Sequence, residues 1–224
     1  MRIHHIRLGI NSCYLIGGNN YVMVDAGVPH KAEKFRKEIR KLGIRPEEIR
    51  LMVLTHSHFD HAGSAYEIQQ MTGAKIACHE MERPYLEEGG FAMPKGVNLW
   101  GKISHPLFFP VFKKIKFPKV KADIVLKGNE MPLDEYGIQG SIIHTPGHTE
   151  GSVSVLLQSG EAFVGCMAHN NLPFRLRPGL PIYAQDIEKI KESWKILLSK
   201  GVKMVYPGHG NPFPVEVIRK SLSL

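Results

Sequence analysis

Cysteine is scarce in this chain: three residues, Cys13, Cys78 and Cys166, among 224. So small and odd a number argues against a disulfide framework and leaves catalysis or metal binding as the special uses of a thiol. Long hydrophobic runs are missing as well. The longest nearly apolar stretch, 103–112, contains two prolines and is half of the ~20 residues that a bilayer span requires. No membrane span is expected. An export signal is also lacking, because Asn11, Gly17 and Gly18 interrupt the chain after the basic residues 1–6 before an apolar segment can build up; the expectation is a cytoplasmic protein. Short-period repeats are absent. So is the low hydrophobicity of a disordered chain, since 43% of the residues are hydrophobic and 22% charged. A length of 224 residues suits one domain or two small ones, and the reading adopted is a single domain over 1–224.

Acidic residues are the minority charge, 21 against 29 Lys and Arg, for a net charge of +8. Such a balance suits an anionic substrate, nucleic acid or an acidic lipid surface, and does not choose among them. Histidine is abundant, with 12 in all.

Apolar runs bounded by turn residues predict strands over 21–25, 51–54, 74–78, 123–126, 141–144, 152–158, 162–166 and 203–206. Three-to-four spacing predicts helices over 31–42, 62–71, 80–88, 185–199 and 214–222, with Pro84 in the first turn of the third. The helix over 185–199 carries the clearest apolar stripe, Ile187, Ile190, Trp194, Ile196 and Leu197. Strands grouped on either side of helices imply an α/β protein of two packed sheets covered by helices on both outer faces, a four-layer arrangement. Periodicity fails over the insert 89–121. It holds Phe91, Trp100, Phe108, Phe109, Phe112 and Phe117, prolines at 94, 106, 110 and 118, and lysines at 113, 114, 116, 119 and 121. Two readings stay open: an irregular functional segment serving as a lid or dimer contact, or a helical excursion packing its aromatics on the core.

The sharpest feature is Thr55-His56-Ser57-His58-Phe59-Asp60-His61, directly after an expected strand. His56 and His58 stand two apart, so an extended segment projects both imidazoles to one side, where they can share a metal. Asp60 and His61 come next, as the chain turns into a helix, which aims them at a second point nearby. Imidazole and carboxylate are the usual ligands of zinc. His148 in Pro146-Gly147-His148 and His209 in Pro207-Gly208-His209 share one setting: strand, Pro-Gly turn, histidine.

The ordered motifs HSHFDH, PGHT and PGHG, with Asp25 in Val24-Asp25-Ala26-Gly27, resemble those of the metallo-beta-lactamase fold superfamily of metal-dependent hydrolases. That resemblance implies a four-layer αββα sandwich with the metal site at one edge between the sheets. It implies His56, His58 and His148 around one zinc ion, and Asp60, His61 and His209 around a second, with iron or manganese as alternative metals. One position departs from the pattern. Many dinuclear members carry a bridging aspartate where this chain has Cys166. A thiolate is itself a good zinc ligand, so Cys166 is read as a ligand of the second ion or a bridge, its alternative being a small buried thiol. Asp25 is read as accepting a hydrogen bond from a ligand imidazole and fixing its tautomer. His169 falls near where similar lactone hydrolases have a carbonyl-polarising tyrosine, and takes that role here; the alternative is an exposed loop histidine.

The expected chemistry is hydrolysis of an ester, thioester, lactone or lactam bond of a small molecule by metal-activated water, with Asp60 orienting the nucleophile. Aromatics in the insert favour a substrate with an apolar acyl or aryl part. A phosphodiesterase or nuclease is one rival; the chain offers no basic arm for RNA beyond the lysines of the insert, so nucleic acid is not the expected partner. A mononuclear iron oxygenase is another, separable by iron content. A non-catalytic zinc-binding module is the third. Seven candidate ligands for two ions leave a coordination position open, whereas structural sites are closed.

Overall fold

The computed structural model describes residues 1–112, 114–171 and 175–222. Lys113 of the lysine run lies outside the described residues, as does the side chain of Phe109. Strand Ser12–Gly17 shows how the layers arise. Successive side chains point to opposite faces, so Tyr14 and Ile16 turn inward while Cys13 and Leu15 turn outward, and all four are buried. Tyr21–Val24 and Ile49–Val53 repeat the pattern: Val22, Val24, Leu51 and Val53 face one cluster, Met23 and Met52 the other. A strand apolar on both faces needs cover on both. The inner cover is a second sheet contributing Ile142, Val153, Val155, Leu157 and Phe163. The outer cover is helices Ala32–Lys41, Ala65–Thr72 and Arg83–Glu88, through Phe35, Ile39, Ile68 and Leu86. On the far side of the second sheet, helix Ile187–Ser199 packs Ile190, Trp194 and Leu197 on Ile143, Ala162 and Val205. Its start is capped by Asp186, whose carboxylate accepts from the backbone N–H of Glu188 and Lys189. The result is a four-layer αββα sandwich.

The first sheet runs Arg2–Arg7, Ser12–Gly17, Tyr21–Val24, Ile49–Val53, Lys75–His79, Ile124–Leu126, parallel from the third strand onward. The second runs Phe213–Pro214, Met204–Tyr206, Glu161–Phe163, Val153–Leu157, Gly140–His144, Glu130–Pro132. Glu161–Phe163 is parallel to Met204–Tyr206, and both it and Gly140–His144 are antiparallel to Val153–Leu157. The three strands therefore end at the same edge. No described helix is long and apolar enough to cross a membrane.

Several expectations need correction. Two N-terminal strands, Arg2–Arg7 and Ser12–Gly17, precede the first one that the apolar runs predict. The helix expected over 62–71 is two pieces, Phe59–Ala62 and Ala65–Thr72. They part at Gly63, whose N–H leaves the helix for Gly27 O at 2.9 Å. Asp60 and His61 thus lie within the first piece rather than before it. Cys166 sits in a turn, Gly165–Met167, beyond the strand expected to include it. Ile196, expected in the buried stripe, is 44% exposed. The insert forms a helix, Leu99–Phe112, despite Pro106 and Pro110. Both prolines are on its exposed side, where carbonyls deprived of an N–H partner can reach water. Phe91, Phe112 and Phe117 pack against the core, while Trp100 and Phe108 remain about two-fifths exposed, at 46% and 40%.

Candidate metal centre

Five strands end at the shared edge, and each delivers a candidate. Asp25 follows Tyr21–Val24, residues 55–61 follow Ile49–Val53, His148 follows Gly140–His144, Cys166 follows Glu161–Phe163, and His209 follows Met204–Tyr206. The edges are tied together by Val153 N–H to Thr55 O at 2.9 Å and Ser12 N–H to Gly208 O at 2.7 Å. All of His56, His58, Asp60, His61, His148, Cys166, His169, His209 and Asp25 are buried there together. His169 is therefore no exposed loop residue. Its strand His169–Asn170 pairs with His209–Gly210, and its ring stands perpendicular to that of His209 at 5.2 Å.

Hydrogen bonds on the outer side of each ring assign the tautomers. His58 Nε2 lies 2.7 Å from Ala92 O and His148 Nδ1 lies 3.0 Å from Tyr183 O. A carbonyl accepts only, so each of these nitrogens carries the proton. The Thr55 hydroxyl donates to the Asp25 carboxylate at 2.9 Å and so accepts from His56 Nδ1–H at 3.0 Å. The inner nitrogens then hold lone pairs. They converge: His58 Nδ1 lies 3.1 Å from His56 Nε2 and 3.1 Å from His148 Nε2. Nitrogens bound to one tetrahedral zinc at about 2.0–2.1 Å stand roughly 3.3 Å apart. Lone pairs this close repel unless a cation is shared, so these three residues fit a metal. Burial drives His58 down to about 3 and His56 well below the ordinary histidine value, aided by their neighbouring rings.

The other four candidates differ in charge. His61 Nδ1 donates to Asp25 Oδ2 at 2.7 Å and His209 Nδ1 to Ile10 O at 3.1 Å. Their inner Nε2 atoms meet anions: His61 lies 3.1 Å from Cys166 Sγ and His209 3.1 Å from Asp60 Oδ2. Burial alone would raise the Cys166 thiol and the Asp60 carboxyl, but His61 and its neighbours hold both well below their ordinary values. Burial would likewise lower the two histidines, yet the charges of Cys166 and Asp60 lift His61 well above its usual range and His209 to about 10. A pocket that draws protons onto buried imidazoles is one that demands cations. The ligand atoms of His56, His61 and Cys166 lie within 4.8 Å of one another, as do those of Cys166, His169 and His209, so the sulfur stands between the two sets.

Three further residues, none of them a candidate from the sequence, support the ligands. Asn11 Nδ2 lies 2.9 Å from each ring nitrogen of His61. Thr55 links His56 to Asp25, and its own N–H donates to Asp25 Oδ1 at 2.8 Å. Asp25 is thereby held at φ +59°, an unusual backbone for a residue with a side chain. Glu82 is buried, and its carboxylate accepts from Ser57 N–H at 2.8 Å and Gly151 N–H at 3.2 Å, joining the loop of His56 and His58 to that of His148. A buried acid outside any motif leaves no sequence signal. The Pro-Gly-His turns have a steric cause as well: a Cβ at Gly208 would come within 2.5 Å of His61 Cε1.

Above the centre lies a cleft of about 50 Å³, lined by His58, Asp60, Cys166 and His169 below and by Phe59, Phe91, Met93, Pro94 and Phe112 around it. Phe91 and Phe112 thus come from the insert to the cleft. Phe117, Trp100 and Phe108 do not line it.

A family model described as the metallo-beta-lactamase superfamily matches residues 6–209. Among curated proteins, the chain is 27% identical over 248 aligned residues to the "Probable metallo-hydrolase YflN" of Bacillus subtilis, across 99% of this chain and 88% of that protein. It is also 27% identical over 205 residues to the "Probable metallo-hydrolase MJ0888" of Methanocaldococcus jannaschii, across 89% of this chain and 87% of that one. Of solved structures, the BLEG-1 B3 metallo-beta-lactamase superposes with a TM-score of 0.72 at 21% identity, over 98% of this chain and 97% of its own. TTHA1623 in a di-iron-bound form superposes with a TM-score of 0.66 at 20% identity, over 96% of both chains. At such identities the two structures share the fold.

Proposed function

This chain belongs to the metallo-beta-lactamase superfamily, and from that premise we propose that it is a zinc-dependent hydrolase of esters, thioesters, lactones or lactams with an apolar acyl or aryl part. The observation that carries the reading is the convergence of three imidazole lone pairs whose protons are turned outward. His56, His58 and His148 would hold one ion, and Asp60, His61 and His209 a second, with Cys166 between them. A bound zinc ion supplies a water that ionises near neutral pH (about 7) and a Lewis acid for the oxygen under attack. The chain's own groups do the rest. Asp60, held ionised against His209, accepts a hydrogen bond from the attacking water and orients it. His169, which burial lowers to about 4, is neutral at pH 7 and presents a ring N–H to the substrate carbonyl. Phe59, Phe91, Met93, Pro94 and Phe112 receive the apolar group and exclude water from the centre. Through Phe91 and Phe112 the insert 89–121 reaches the cleft and serves as a lid over the bound group.

Elemental analysis of purified protein, with assays on an ester, a thioester, a lactone and a lactam after zinc reconstitution, tests the proposal. Zinc at one or two ions per chain and turnover of at least one substrate is the expected result. Protein that neither binds zinc nor hydrolyses any of them would end this reading. Phe91→Ala should raise KM for aryl or long-chain esters more than for acetate esters; equal effects would remove the lid.

A further inference from the structure

Helix Leu99–Phe112 is built inside out. Its inner side is narrow: Gly101 lies against Ile182 O, Ser104 Oγ shares a hydrogen bond with the Tyr183 hydroxyl, and Phe112 packs on Phe59. Its outer side should be polar on an ordinary surface helix. Instead Leu99, Ile103, Leu107 and Val111, spaced four apart in one row, are 77%, 52%, 68% and 61% exposed. Trp100 adds an indole at 46% exposure beside them. Contiguous exposed apolar rows of this kind mark an interaction surface.

The charge around the row identifies what it meets. Between residues 89 and 122 there are seven lysines and no Asp or Glu. Lys95, Lys102, Lys114, Lys116, Lys119 and Lys121 are all exposed. The neighbouring segment has the same character, with no acid between residues 162 and 185 and with Leu176, 88% exposed, between Arg175 and Arg177. It is joined to the helix region through Val97 N–H to Ile182 O at 2.9 Å and through the pairing of Tyr183–Ala184 with Lys95–Gly96. A second copy presenting this face would set lysines against lysines. An anionic bilayer surface complements it: aliphatic side chains enter the headgroup region, lysines meet lipid phosphates, and an indole sits at the boundary. Fourteen residues at 1.5 Å each make about 21 Å, enough to lie along a membrane and too short to cross one.

We infer that helix Leu99–Phe112 and its lysines dock this protein peripherally on anionic phospholipid surfaces. Phe112, at the end of the same helix, lines the cleft over the metal centre, so docking places the entrance beside the lipid. The inference goes beyond the hydrolase reading, and its test needs no turnover.

The full chain is to be sedimented with vesicles of phosphatidylcholine alone and of phosphatidylcholine with phosphatidylglycerol, at low and moderate salt. Binding to the phosphatidylglycerol vesicles, weakened by salt, is expected, with no binding to phosphatidylcholine alone. Trp100 emission should shift to the blue on binding, since Trp194, the other tryptophan, is fully buried and reports little. The double variant Ile103→Asp with Leu107→Asp changes exposed side chains and should lose at least about tenfold in partitioning, with an unchanged circular dichroism melt. Failure to bind phosphatidylglycerol vesicles at low salt overturns the inference. So does binding that ignores the double substitution, or a dimer in sedimentation velocity that the same substitution dissolves, which would make the row a contact between copies.

Discussion

His56, His58 and His148 meet as neutral rings, whereas His61 and His209 meet a thiolate and a carboxylate. The first set is prepared by hydrogen bonding alone: Ala92 O, Tyr183 O and the Thr55 hydroxyl take the outward protons and leave lone pairs facing one another. The second is prepared by charge, with Cys166 and Asp60 inside and Asp25 behind His61. The two sets are therefore prepared for a cation in different ways. At neutral pH no proton competes at His58, lowered to about 3, or at His56, well below its usual value. In the charged set a proton is already welcome, with His209 near about 10.

Removing one member of the neutral set breaks the contrast most severely. His58→Ala leaves two nitrogens where three converge, and kcat/KM of zinc-reconstituted protein should fall on the order of a thousandfold or more. Steady-state kinetics beside zinc content checks it, and a variant that keeps its zinc and its rate would refute the assignment. Asp25→Asn sharpens the contrast. It removes the charge that His61 meets directly, whereas His56 is reached only through Thr55, so affinity at the charged set should drop about 10- to 100-fold and by more than at the neutral set. Competition with a chromophoric chelator would show one binding step weakened more than the other, and equal losses would count against the contrast.

The two sets should also separate by pH. His209 is raised to about 10 and His61 well above its usual range, so at neutral pH the protein holds both protons and a metal must displace them. Affinity at the charged set should therefore rise with pH through the neutral range, by up to about tenfold per unit for each proton displaced. Affinity at the neutral set should rise less steeply, since His58 and His56 carry no proton to displace in that range. Chelator competition at several pH values measures both slopes, and parallel slopes would erase the distinction. The smallest effect is expected at Glu82, which serves both loops. Glu82→Gln keeps one acceptor oxygen and loses the other, so unfolding free energy should drop by about 1–3 kcal/mol, read from urea midpoints, with only a few-fold loss of rate.

The legible part of the site is the part written in consecutive residues. Residues 55–61 announce themselves because extended backbone puts His56 and His58 on one side, and the two Pro-Gly-His turns mark strand ends. The layered sandwich is legible for a related reason, since strands apolar on both faces require two covers. Illegible are contacts made by groups of no distinctive type. Glu82 reads like any surface glutamate until its neighbours are known. Helix Leu99–Phe112 stays undecided between an irregular segment and a helical excursion, because prolines at 106 and 110 oppose a helix and the apolar row that would announce one faces outward.

Which atoms can bind a cation is settled by residue type, and so the inventory of rings, carboxylate and thiol needs no coordinates. Which nitrogen of each ring turns inward is not. That choice belongs to carbonyl oxygens brought from 34 residues away for His58, 35 for His148 and 199 for His209. A neutral imidazole has two places for its one proton, and the hydrogen-bond partner supplied by folding decides which of them is filled.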